Sequence, residues 1–249
     1  MVDKSVLIRE YVTALRQNNA SIFIGSGMSK SVSGLDWKDL IMPYAEIIGY
    51  SQKDNNYPFI AQAYVNAGHD VNGFKKDICD KFKSRETPEF HSLIARLPIK
   101  NYWTTNYDTL IENALDAAKK RKDVIFDNAS FCSLDDTRDH IVYKCHGDCN
   151  HPESIVITQQ DYECYRLKAF NFSNALYNEL ASSTILFLGY SFSDPDINNI
   201  LATLSTINDV KQTHYMITKR EKGSKAIKQE HWIKNLERYG IQTLLIGDY

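Results

Sequence analysis

Residues 184–197 read TILFLGYSFSDPDI, and this one run holds a strand, a turn and the start of a helix. Thr184–Leu188 is apolar at nearly every position rather than alternating, as a strand buried on both faces must be. It stops at Gly189. Asp194-Pro-Asp-Ile then supplies an N-cap acid, a proline at the first helical position and a second acid in the first turn. A buried strand that passes through a short polar turn into a helix is the repeating unit of an α/β sheet.

The same signature recurs outward from this run. Ile22, Phe23 and Ile24 form a short apolar strand that ends in Gly25-Ser26-Gly27. Further short strands are expected at Asn101–Thr104, Val124–Phe126, Ile141–Lys144, Ile155–Ile157, His214–Ile217 and Ile241–Ile246. Helices are expected at Tyr107–Lys119, Gln159–Arg166, Phe170–Ala181 and Lys225–Arg238. An amphipathic helix carrying Ile8, Tyr11, Val12 and Leu15 opens the chain. Between Trp37 and Leu97 the pattern is helical and strandless, broken at Gly49, Gly68, Gly73 and Pro88. The expected fold is α/β: a Rossmann-like, mostly parallel sheet with helices on both faces and a helical insertion at about 37–97. Residues 1–249 form one domain on this reading. In such sheets ligands bind beyond the carboxyl ends of the strands, and every polar motif below follows a strand.

Bulk properties narrow the function. The chain has 249 residues, 43% hydrophobic and 24% charged, with a formal net charge of -2. This gives no support for a nucleic-acid partner. The basic stretch KREKGSK at 219–225 reads as a solvated loop and helix start. Five scattered cysteines do not make a disulfide framework. The N-terminus is no secretory signal, and no apolar run approaches the ~20 residues of a membrane span. A reduced, cytoplasmic protein without membrane contact is expected.

Four motifs carry the chemistry. Gly25-Ser26-Gly27-Met28-Ser29 lets the backbone approach a ligand, although it lacks the full dinucleotide or P-loop pattern. Thr104-Thr105-Asn106-Tyr107-Asp108 follows a strand. Thr105 or Asn106 as a helix cap explains one of these polar residues, not the whole run. The Asn106 amide both donates and accepts, so it can hold a sugar hydroxyl and a water. In Lys144-Cys145-His146-Gly147-Asp148, a strand delivers a histidine, the usual general base, to its carboxyl end. Gly189-Tyr190-Ser191 can approach a nucleotide, while Asp194 and Asp196 argue against a bare phosphate at that helix tip. Cys145, His146, Cys149 and His151 lack the paired spacing of zinc sites, so no metal is expected.

In this order, GSGMS, TTNYD, KCHGD and LGYSFSDPDI resemble the sirtuin-like NAD-consuming family. The resemblance runs from about Ala20 to Ile246. It implies NAD as substrate, with Asn106 and His146 catalytic. It further implies nucleotide contacts from Gly25, Ser26, Gly27, Ser29, Asp36, Asn106, Asp108, Gly189 and Ser191. Asp108 is expected to brace the Asn106 loop. The two Cys-x-x-Cys pairs of the protein deacylases do not occur. YWTTNYD, the VYK-x-HGD pattern, Asp161-Tyr162 and FLGYSFSDPDI instead resemble bacterial anti-phage NAD hydrolases, above all Thoeris NADase effectors. Those effectors carry a ligand-sensing domain after the NADase, so the chain is read as the catalytic part of a longer protein. The implied reaction is cleavage of NAD to nicotinamide and ADP-ribose. The competing readings are an NAD-dependent protein deacylase, a non-catalytic NAD or ADP-ribose sensor and a partner-docking domain. A fast NADase needs restraint, from a C-terminal sensing domain, a regulatory partner or homo-oligomer formation through the opening helix. The 37–97 insertion is the expected lid.

Overall fold

A computed structural model describes residues 1–50, 55–83, 86–207 and 212–247, and for 31–33, 166 and 168 the backbone alone. The strands are β1 (Ala20–Ile24), β2 (Asn101–Thr104), β3 (Lys122–Ile125), β4 (His140–Lys144), β5 (Thr184–Leu188), β6 (His214–Lys219) and β7 (Ile241–Ile246). They form one seven-stranded sheet in the order β3-β4-β2-β1-β5-β6-β7. Every pairing is parallel. The chain leaves β1 toward β2 on one side and later returns to β5 on the other, so β1 lies at a switch of direction.

Burial on both faces explains why these strands read as continuous apolar runs. Phe23, Trp103, Ile185, Phe187 and Met216 join one apolar core. It includes Phe172, Leu176 and Leu180 of α9 (Phe170–Ser182), Ile197, Leu201 and Leu204 of α10 (Pro195–Ile207), and Leu236 of α11 (Ser224–Glu237). Ile22, Ile24, Tyr102, Val142, Leu186, Leu188 and Tyr215 point the opposite way, toward α1 (Lys4–Arg16), α6 (Glu89–Ala95) and α7 (Leu110–Ala117). The two-residue strand period sorts the side chains between these layers.

The remaining helices are α2 (Ser26–Ser33), α3 (Trp37–Ile47), α4 (Tyr57–Asn66), α5 (Val71–Asp80) and α8 (Gln159–Lys168). The expected insertion at 37–97 corresponds to α3 to α6; its residues 51–54 and 84–85 lie outside the described residues. Helices α3 to α5 share a third core, of Leu40, Ile41, Tyr44, Ile60, Phe74 and Ile78 with Tyr107, Cys149, Ile155 and Ile157. Lys75 fastens α5 to the main body through the Ile155 carbonyl at 2.7 Å and Asp161 at 2.9 Å.

Two expectations need correction. Ile155–Ile157 is not a strand: it follows a 3-10 turn at Pro152–Ser154. Its Val156 N–H donates to the His146 carbonyl at 2.9 Å, but those of Ile157 and Thr158 go to the Asp161 carboxylate, so no ladder forms. The isoleucines are apolar because they lie under the insertion. The helix expected from Tyr107 begins only at Leu110, because residues 105–109 form the site loop. In α1 the buried face is Leu7, Tyr11 and Ala14, while Ile8 is exposed. Of the expected stripe only Tyr11 is buried, with Val12 and Leu15 half-buried, so the fold covers it in part. Of residues 219–225, Lys219 ends β6, and the rest form a loop and helix start with Gly223 at the N-cap of α11. Among the described residues no helix is long and apolar enough to cross a membrane.

Candidate active site

Strands β4, β2, β1 and β5 are neighbours in the sheet, and their carboxyl ends bring the four motifs to one rim. There they border a cavity of about 850 Å³. Ser26, Gly27, Ser29, Asn106, Asp108, His146 and Ser191 line it, as does Asp36. Gly25 and Gly189 do not line it; their role is backbone approach. A Cβ on Gly25 would sit 2.4 Å from the Gly189 carbonyl oxygen, so only glycine lets the two turns touch. The Gly25 N–H donates to the Leu188 carbonyl and that of Gly27 to Gly189, at 2.8 and 3.0 Å. The first and fourth motifs thus form one floor, with the amino end of α2 facing the cavity.

Asn106 is held from three elements. Its N–H donates to Thr104 Oγ1 at 2.9 Å, and that hydroxyl donates to the Ile24 carbonyl at 2.7 Å. Its side-chain Nδ2 donates to Ser29 Oγ at 3.0 Å. Neither Thr105 nor Asn106 caps α7: Thr109 occupies the N-cap position, without a side-chain cap bond. Asp108 Oδ1 instead accepts the Leu110 N–H at 3.1 Å, which braces the turn.

His146 is buried, and its carbonyl is fixed by Val156 N–H. Gly147 follows with φ +91, where an added Cβ would stand 2.4 Å from the Ser154 carbonyl oxygen. A side chain there would displace the histidine's turn. Nε2 of His146 lies 2.9 Å from Oδ2 of Asp194. Burial pushes the Asp194 carboxyl up, but the His146 ring and the N–H groups of Ile197 and Asp196 outweigh it and hold the acid below its ordinary value. Tyr162 and Tyr165 stand edge-on to the His146 ring, with centroids 5.5 and 5.2 Å away.

Beneath both turns lies a residue the motif reading passed over. Lys144 is 0% exposed. Its Nζ donates to the carbonyls of Tyr107 at 3.1 Å and Asp108 at 2.6 Å, to Glu112 at 2.8 Å and to Asp148 at 3.0 Å. Burial alone would lower the ammonium, but the two carboxylates hold it above its ordinary value. Burial pushes the Glu112 carboxyl up despite Lys144. One cation therefore ties the Asn106 turn to the His146 turn. The alternation of β4 was a usable signal, since Lys144 shares the inward face with Val142.

The outer wall comes from the insertion. Trp37, Leu40, Asn56, Tyr57, Pro58 and Phe82 line the cavity. Trp37 and Tyr57 stack with centroids 6.3 Å apart. Asp36 caps α3 in a reciprocal box with Asp39 and pairs with Lys30 at 3.2 Å. Tyr190 also lines the cavity, and its hydroxyl is buried without a hydrogen-bond partner. Among the described residues no group of three or more His, Cys, Asp or Glu is placed to hold a metal ion. The crowded Cys/His set diverges: His151 stacks on Phe126, while Cys149 packs into the insertion core.

Residues 100–244, which carry three of the four motifs, match the SIR2-like domain. The chain belongs to the SIR2-like family. It is 36% identical over 258 residues to the NAD(+) hydrolase ThsA of Bacillus cereus (strain MSX-D12), covering 98% of this chain and 54% of that relative. It is 35% identical over 257 residues to the NAD(+) hydrolase ThsA of Acinetobacter baumannii (strain 532279), covering 98% and 53%. Defense-associated sirtuin 2 of Bacillus subtilis is 29% identical over 213 residues, covering 81% of this chain and 21% of the relative. The chain spans about half the length of the ThsA relatives it matches. The SIR2-like assignment agrees with the parallel sheet and with motifs gathered at its carboxyl rim.

Proposed function

We propose that this SIR2-like domain is an NAD glycohydrolase, cleaving NAD to nicotinamide and ADP-ribose, and that it acts as an anti-phage effector by depleting NAD. One observation carries the reading: Asn106 and His146, from separate strand ends, border a single cavity of about 850 Å³ floored by two glycine turns. That volume suits a dinucleotide. The names of the ThsA relatives support the same substrate.

The chemistry follows from the side chains. The nicotinamide–ribose bond breaks with its electron pair leaving on the nicotinamide nitrogen, and positive charge develops on the ribose as in other glycosidic cleavages. The Asn106 amide orients a ribose hydroxyl and the attacking water. His146 accepts the proton as the water oxygen bonds to the anomeric carbon, or takes it through a ribose hydroxyl. No metal is required for these steps. The backbone around Ser26, Gly27 and Ser191, with Ser29, Asp36 and Asp108 nearby, forms the nucleotide cradle. If the adenine competes with water, a cyclic product forms instead. The insertion, with Trp37 and Tyr57, acts as the lid.

The domain is proposed to work in the cytoplasm as a homo-oligomer, restrained by a C-terminal sensing domain or a regulatory partner. Incubation of the purified chain with NAD is the test, with nicotinamide and ADP-ribose as the expected products. Nicotinamide release only on addition of an acylated peptide replaces this reading with a deacylase. Tight NAD binding without any product replaces it with a sensor.

A further inference from the structure

Asp194 is an N-cap by sequence, yet its two carboxylate oxygens face different ways. Oδ1 accepts the N–H groups of Asp196 at 2.9 Å and Ile197 at 3.3 Å. Capping needs no more than that, and Ser or Asn would serve as well. Oδ2 lies 2.9 Å from His146 Nε2, with both side chains nearly buried (5% and 8% exposed). Burying a carboxylate oxygen is costly unless something is gained from its partner. Nε2 is shielded from solvent and makes no hydrogen bond of good geometry, and Asp194 is the acceptor placed beside it. A reactant in the cavity therefore cannot reach it, although His146 lines that cavity. The contact is close but off the line of a hydrogen bond, and such pairs tighten when the reacting group is bound.

We propose that Asp194 is a positioning residue for His146: it accepts Nε2–H, fixes the neutral ring in that tautomer, and leaves Nδ1 as the atom that takes the proton. The proposal rests on the NAD-cleaving reading for its catalytic consequence. In the reaction the water proton moves to Nδ1, Nε2 keeps its own, and the carboxylate stabilises the imidazolium that forms. The Phe192 backbone between the two halves of this loop has φ 54, unusual for a bulky residue, and Asn198 Nδ2 donates to its carbonyl at 2.8 Å. A strained residue held by a side-chain bond is what aiming Asp194 requires of a short turn.

Asp194→Asn separates the two jobs. The amide oxygen still caps α10, while the amide nitrogen faces Nε2 and donates to it, driving the ring proton to Nδ1. The ring state is read from 15N-histidine NMR, with His146→Gln to assign the signal. The neutral wild-type ring is expected as the Nε2–H tautomer and the Asp194→Asn ring as the Nδ1–H tautomer. NAD turnover is expected to fall about 10²- to 10⁴-fold, as when a carboxylate behind a catalytic histidine is lost, with KM within about threefold. An Nδ1–H tautomer in the wild-type chain overturns the proposal. So does unchanged or raised turnover in the variant, the latter making Asp194 a restraint. If the wild-type chain releases no nicotinamide, the cleavage reading fails, and the two tautomers still decide the pairing.

Discussion

The two walls of the cavity are built differently. The inner wall hangs from four adjacent strand ends and is locked by Lys144, whose four contacts join the Asn106 and His146 turns. The outer wall rides on α3 and α4, whose core contains loop and helix residues but no strand residue. Its ties to the body include Lys75 with Asp161 and Gln62, which accepts from the Gln160 N–H at 3.1 Å. Groups that must meet a reacting bond within fractions of an ångström sit on the sheet. The outer-wall residues, Trp37 and Tyr57 among them, come instead from a helical layer packed beside the sheet.

The comparison breaks most sharply at the inner wall. His146→Ala and Asn106→Ala should each lower NAD turnover about 10²- to 10⁴-fold with an unchanged circular dichroism spectrum. The double variant should be little worse than either, because both act on one transition state. Multiplicative losses in a turnover assay count against a shared water.

Next is Lys144→Met, which strands Glu112 and Asp148 without a cation. A loss of about 3–5 kcal/mol in urea unfolding is expected, since breaking a buried pair exceeds the net worth of the pair. Adding Glu112→Gln and Asp148→Asn should recover part of that stability but not the turnover. Recovery of both would make the lysine a stability element only.

Asp161 tests the tie between the walls. Burial pushes its carboxyl up, but the Thr158 N–H and Lys75 prevail and hold it below its ordinary value. A lowered folded pKa adds stability above the unfolded value near 4 and loses it as pH falls through the folded one. Asp161→Asn should therefore cost about 1–3 kcal/mol at pH 7 and less at pH 3, measured by thermal melts at both. Equal losses at the two pH values show that its charge is irrelevant.

The smallest effect belongs to the outer wall. Trp37→Ala should raise the KM for NAD by about 10-fold or less, the range of a lost aromatic contact, with kcat nearly unchanged. A large fall in kcat would mean that the outer wall also orders the chemistry.

The sheet was readable because burial on both faces leaves apolar runs that end in glycine, as at Thr184–Leu188 and Ala20–Ile24. The helical insertion was readable as helix, from spacing and breakers. Ile155–Ile157 misled because apolar character reports burial, not pairing, and these residues are buried by helices. Among the site residues, the motifs pointed to the Asn106 and His146 turns, which do line the cavity. Gly25 and Gly189, expected at the ligand, do not line the cavity themselves and stand where the two backbones meet.

The sequence by itself determined the α/β class, the parallel order implied by strand–turn–helix units, and the polar residues standing at strand ends. These follow from local pattern, since period, capping and glycine are read from near neighbours. Only the tertiary structure decided that Lys144 holds Glu112 and Asp148, that Asp194 lies against His146, and that α3 and α4 close the cavity. Each depends on desolvated charges or apolar faces brought together from distant parts of the chain. Their energies come from burial and mutual distance, and neither exists until the sheet has assembled.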